Sequence, residues 1–201
     1  AQCPHSTHKK TVRCLKKSVL FLADDRLQGR RTGTAGEKLA YEYISKKFKK
    51  ARLLPYGDGG SYLQAFEVNA KEKRTGHNVV GFINNKAAST IIVGAHFDHL
   101  GYGEDKNSMY TGSTPMIHNG ADDNASGTAA LIELGKWLKK STLKKYNYLL
   151  VAFSGEELGL FGSKYFTEHS NLPAGSINYM INMDMVGRLN DSSHSINVGG
   201  Y

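Results

Sequence analysis

Three apolar runs in this chain each end on side chains able to hold a cation or move a proton: TIIVGA leads into His96-Phe97-Asp98, YLLVAFSG into Glu156-Glu157, and INYMINM into Asp184. A fourth segment, NGADDNASG, centres on Asp122-Asp123. Side chains alternate along an extended strand, so His96 and Asp98 share a face. An imidazole nitrogen suits a borderline cation such as zinc, and a carboxylate behind it can orient the ring. Taken alone, the pair fits a structural His–Asp hydrogen bond equally well. Asp122-Asp123 opens a helix through Asn124, where carboxylates favour the first turn. Capping explains one of these aspartates better than two, and a carboxylate can bridge paired cations about 3.5–4 Å apart. Glu156 and Glu157 either begin a helix or divide the work, one as ligand and one as proton acceptor for metal-activated water. Asp184 is a lone acid in an apolar run, where an unpaired buried carboxylate is costly and a cation partner relieves it. The chemistry these residues suggest is metal-dependent hydrolysis.

The elements that must position them follow from periodicity. Val12, Leu15, Val19 and Leu22 predict a helix over 11–23 after a loose arm at 1–10. A polar, Gly-rich loop then closes on Thr34, an N-cap with Glu37 three residues later. The helix after it spans 35–53 and ends before Pro55. Strands are expected at 61–70, 77–85, 90–99, 146–155 and 177–187, with a further one beginning at 195. Helices are expected at 124–140 and 157–169. The early strands follow one another without a helix between them, which makes the sheet mixed. The fold class is α/β, a three-layer α/β/α sandwich with a mixed, mostly parallel central sheet. Its strand ends are the edge at which open α/β sheets build sites.

Composition excludes several classes. With 201 residues the chain suits one domain, read as residues 11–201 behind the arm. Mean hydropathy is −0.42 and no long apolar run spans a membrane. The net charge of +8 comes mainly from lysine clusters at 10–17, 46–52 and 139–145. Those read as solvated helix faces, without the aromatic interleaving or motif that nucleic-acid binding requires. Cys3 and Cys14 either form a simple disulfide tying the N-terminal arm to the first helix, which needs an oxidising compartment, or the arm that carries Cys3 is disordered.

GAHFDHLG, NGADDNASG, FSGEELGLFGS and INMDMVG, in this order and spacing, closely resemble the co-catalytic zinc aminopeptidases of the bacterial leucyl aminopeptidase and aminopeptidase Y kind. The resemblance runs from about Leu15 to the C-terminus. It implies a zinc exopeptidase-like fold acting on peptide substrates, with His96 and Asp184 on one zinc, Glu157 on the other and Asp122 bridging. It further implies Glu156 as general base and acid, Asp98 as the support of His96, and a cis peptide between Asp122 and Asp123. Met185 would line the pocket for the substrate's N-terminal side chain, unless it is a core methionine. The family's remaining ligand is a histidine far downstream of the Asp184 motif, accompanied by a tyrosine at the oxyanion. His194 is poorly placed to replace it, and His99 and His118 flank site motifs without a matching role. The expectation is therefore a fold lacking its C-terminal part, with one firm zinc site and one weak or absent. Hydrolysis of N-terminal residues by metal-activated water is the implied activity, in a secreted or periplasmic protein. A related carboxypeptidase, a glutaminyl cyclase, or an inactive fragment that binds only metal or peptide are the alternatives.

Overall fold

The computed structural model describes residues 5–69, 73–190, 192–195 and 197–200. Helix α1 spans His5–Leu22, six residues more at its start than the hydrophobic periodicity marks. Pro4 is the last helix breaker before it, so polar residues 5–10 continue the helix where a loose arm is expected. The expected Cys3–Cys14 pairing lies outside the described residues. Helix α2, Ala35–Lys50, begins at the anticipated cap: the Glu37 N–H donates to Thr34 Oγ1 at 3.4 Å, and Glu37 Oε2 accepts from the Gly33 N–H at 2.9 Å. It ends three residues short of Leu53, because Arg52 turns to φ 61°.

The strands are β1 (Leu54–Pro55), β2 (Leu63–Asn69), β3 (Arg74–Ile83), β4 (Thr90–His96), β5 (Asn147–Phe153) and β6 (Ile177–Asn182). The sheet runs β1-β3-β5-β4-β6, and β2 also pairs with β3. Every pairing that involves β3 is antiparallel, while β5, β4 and β6 are mutually parallel. Five strands thus point one way and β3 alone points the other, a mixed sheet whose strand directions are mostly parallel. Residues 195 and 197–200 form no strand in the described structure, in contrast to the expectation there.

Period-two alternation divides the core into two layers. On one face Val79, Ile83, Ile91, Val93, Ala95, Leu150 and Ala152 meet α1, α2 and α3, the last spanning Gly127–Lys140. On the other, Val80, Ile92, Leu149, Val151 and Phe153 meet Phe166 of α4, Phe161–His169. Helix α4 starts four residues later than expected, since Leu160 sits at φ 66° and Glu157–Gly159 form a turn. Helices therefore cover both faces, and the α/β/α sandwich is as expected. Among the described residues no helix is long and apolar enough to cross a membrane.

Candidate metal centre

Strand β4 is buried at all of its residues, and its last, His96, is only 3% exposed. The Thr128 hydroxyl donates to the His96 carbonyl at 2.8 Å, pinning the strand end to α3. The His96 Nδ1 lies 3.3 Å from the Asp98 carbonyl and 3.6 Å from Asp98 Oδ1. The opposite ring nitrogen faces three carboxylates: Asp123 Oδ1 at 3.2 Å, Asp184 Oδ1 at 3.4 Å and Glu156 Oε2 at 3.9 Å. Metal–ligand bonds of about 2.0–2.1 Å at tetrahedral angles put ligand atoms about 3.3 Å apart. His96, Asp123 and Asp184 thus already have the two edge lengths from Nε2 that a tetrahedral ion needs. Burial alone would lower the His96 pKa, but hydrogen bonds to Asp123, Asp184 and Asp98 push it up to about 12. His96 in turn holds the Asp123 carboxyl below its usual range, against the effect of burial.

The member of the aspartate pair beside His96 is Asp123, whereas the resemblance gives the bridging role to Asp122. Asp122 Oδ1 accepts from the Gly187 N–H at 2.9 Å, and its other oxygen lies 3.8 Å from Arg188 Nε. The turn that decides this starts at Gly120, which adopts φ 56°. A Cβ there would lie 2.2 Å from the Asp123 carbonyl oxygen and 2.5 Å from the His99 ring, so only glycine fits. The cis peptide joins Asp123 to Asn124, one bond later than expected.

Three residues that sequence reasoning passed over hold the centre together. Asn124, fully buried, accepts from the N–H groups of Gly127 and Met185 and donates to the Met183 carbonyl. It therefore grips the chain on both sides of Asp184. Arg30, also fully buried, donates to the carbonyls of Phe97, Leu22, Asn119 and Gly120. Burial lowers its pKa to about 10, opposed by Asp98, Asp123 and Glu157, so it stays cationic at neutral pH behind those carboxylates. Thr32 donates its hydroxyl to Asp98 and accepts from the Gly155 N–H. Arg30 and Thr32 lie in a stretch that reads as an open, polar loop. A run of charged and glycine residues gives no sign that four carbonyls will converge on one guanidinium.

Asp98 has more partners than the expected imidazole. Its carboxylate accepts from the Glu156 N–H at 3.2 Å and the Glu157 N–H at 3.4 Å, fixing the acid pair after β5. Burial raises the Glu156 carboxyl above its ordinary range; His96 opposes this, and Asp98, Glu157 and Asp184 add to it. A carboxyl raised in this way is suited to taking and returning a proton. Glu157 points elsewhere, with Oε1 2.6 Å from His99 Nδ1.

Asp184 follows β6, but the premise that it is buried does not hold. All six residues of β6 are exposed, and the Asp184 side chain is 47% accessible. Its place at the end of a parallel neighbour of β4, rather than burial, brings it to His96. A cleft of about 260 Å³ opens beside His96, Glu156 and Asp184, walled by Phe153, Leu160 and Met180. Met185 lines neither this cleft nor the one beyond it, and is 54% exposed at φ 49°. The apolar wall comes from β5, β6 and the turn before α4 instead.

A mixed sheet whose parallel strand ends bring an imidazole and carboxylates to one point, beside a raised glutamate, is an arrangement able to hold a metal ion. Residues 78–200 match the model of peptidase family M28, and the chain belongs to that family. It is 31% identical over 140 residues to aminopeptidase YwaD of Bacillus subtilis, covering 65% of this chain and 27% of the relative. It superposes on a Zn-dependent exopeptidase from Parabacteroides distasonis with a TM-score of 0.67 at 20% identity, over 86% of this chain and 62% of the other. A glutaminyl cyclase from Porphyromonas gingivalis gives 0.63 at 19% identity, over 86% and 59%. The chain spans 27–40% of the length of the first curated relatives it matches.

Proposed function

We propose that this protein is a zinc-dependent aminopeptidase. The observation that carries the reading is the His96–Asp123–Asp184 cluster, with both carboxylates 3.2–3.4 Å from one imidazole nitrogen, Glu156 beside it and an apolar cleft in front. One imidazole nitrogen and two carboxylates with an open side fit a catalytic zinc site, which keeps room for water or substrate. When bound, the ion lowers the pKa of water and polarises the carbonyl under attack. Glu156 takes the proton from the attacking water and passes it to the leaving amine. Asp98 sets the position of Glu156 through its backbone N–H and supports the His96 ring. Phe153, Leu160 and Met180 offer an apolar surface to the side chain of the substrate's first residue. The carboxylates around the cleft attract the free α-amine. We place the protein in an exported compartment, the reading that its two N-terminal cysteines support.

Leucine p-nitroanilide separates the readings. Metal-free protein supplied with zinc is expected to hydrolyse it, and blocking the α-amine with an acetyl group to abolish the reaction. Glu156→Gln should cut turnover by about 10²–10⁴-fold with zinc content retained. Ring closure of an N-terminal glutaminyl peptide, with the anilide untouched, would replace this reading with that of a cyclase.

A further inference from the structure

We propose that the sheet edge opposite the metal centre is a docking surface for an anionic lipid bilayer, met by a cluster of lysines and a few exposed apolar side chains. The inference goes beyond the aminopeptidase reading and stands independently of it.

Topology gathers that edge. The metal centre lies where β4 and β5 end, and these strands begin about 20 Å away, where Thr90 pairs with Asn147 and Ile83 with Tyr148. Helices α2 and α3 both start at the centre and finish at the far edge. Thr128, in the first turn of α3, holds the His96 carbonyl, and Glu37, in the first turn of α2, accepts from Ser154 Oγ at 2.6 Å. At the other end, Leu53, just past α2, packs against Gly135 of α3, where an added Cβ would lie 3.5 Å from its Cδ1. The Asn147 side chain accepts from the Asn85 N–H at 2.9 Å and donates to the Ala87 carbonyl at 2.8 Å, tying residues 84–89 to the segment after α3. Residues 46–52, 84–89 and 139–146 therefore converge on one edge, and together they hold ten Lys or Arg and no Asp or Glu. Among the described residues none of the ten pairs with a carboxylate. The opposite edge carries the carboxylates of the centre, so the domain is oppositely charged at its two ends.

Lysines in the last turn of a helix complement its dipole, which accounts for those that close α2 and α3. It does not account for Arg52, Lys86, Lys144 and Lys145, which lie outside the helices. Nor does it account for the apolar side chains left in water among the cations: Leu54 is 47% exposed, Trp137 49% and Leu143 51%. A nucleic acid would answer the charge but give the leucines nothing to bury themselves in. An anionic bilayer answers both features. Its headgroups attract the lysines, and the apolar side chains enter the boundary between headgroups and acyl chains. An indole among them suits that interface. Docked in this way, the domain keeps its cleft on the far side, open to peptides in solution.

Trp137 is the chain's one tryptophan, so its emission reports the docking directly. The full chain is mixed with vesicles of phosphatidylcholine alone and with vesicles that also contain phosphatidylserine, and binding is read by flotation. The anionic vesicles should bind it and shift the Trp137 emission to the blue, with binding at least about 10-fold weaker in high salt. The combined variant Lys49→Gln, Lys50→Gln, Lys144→Gln and Lys145→Gln should bind at least about 10-fold more weakly than the wild type. Lys38→Gln, Lys73→Gln, Lys106→Gln and Lys164→Gln together remove the same charge elsewhere and should bind within about 3-fold of it. All eight side chains are exposed, so neither combination disturbs the core. Equal binding to neutral vesicles, equal losses in the two combined variants, or no binding to either vesicle overturns the inference. Binding to anionic vesicles with unchanged Trp137 emission overturns it as well. So does a single-stranded oligonucleotide that binds and shifts Trp137 where the vesicles do not.

Discussion

Strands β4 and β6 are parallel neighbours, and each brings one side chain of the candidate centre to the same point, yet they stand at opposite extremes of burial. All seven residues of β4 are buried and all six of β6 are exposed. His96 is consequently fixed by the core, with its carbonyl held by Thr128 and its ring enclosed. Asp184 stands on an edge strand, secured mainly by the Asn124 bonds to Met183 and Met185. The difference teaches that, among the described residues, one half of the centre is fixed by packing and the other by a few polar contacts.

That contrast can be broken at its strongest point first. Arg30→Met would remove the cation beneath the β4 end and leave buried carbonyls unsatisfied, at a cost of about 3–5 kcal/mol. Chemical denaturation would measure the loss, and a change below about 1 kcal/mol would mean that the buried half is not held as described. Asn124→Ala comes next. It should lower stability by about 1–3 kcal/mol and weaken zinc binding by about 10–100-fold, because it frees Asp184 more than it disturbs His96. A matched pair then compares the two strands directly, and its second member carries the smallest effect. Ile92→Ala, in the buried strand, should cost about 2–5 kcal/mol, whereas Ile181→Ala, 44% exposed on β6, should cost about 1 kcal/mol or less. Equal losses at the two positions would dissolve the comparison.

Much of this was legible in the residues, and the failures have physical causes. Apolar runs ending in His96, Glu156 and Asp184 disclose the strand ends, because a continuous apolar run is a local pattern, buried in β4 and β5 and exposed in β6. The choice between Asp122 and Asp123 was not local. Neighbouring residues in an irregular turn differ in direction by torsions that depend on Gly120 and on the bonds of Asn124 to residues about sixty positions away. The resemblance gives His99 no role, and its contact with Glu157, 58 residues on, is not a local pattern. Met185 was drawn toward the pocket by its place beside Asp184, whereas the positive φ it adopts turns it outward to solvent. Arg30 shows the widest gap: a charged residue in a glycine-rich stretch became one of the most buried side chains of the domain.

The central claim is that Asp123, and not its neighbour, joins His96 and Asp184 at the metal. Zinc content and affinity of Asp123→Asn and Asp122→Asn, measured side by side on folded, metal-depleted protein, test it most directly. Asp123→Asn is expected to lose tight zinc binding, while Asp122→Asn keeps it within a few-fold of the wild type. Loss of zinc in Asp122→Asn with normal binding in Asp123→Asn would contradict the account.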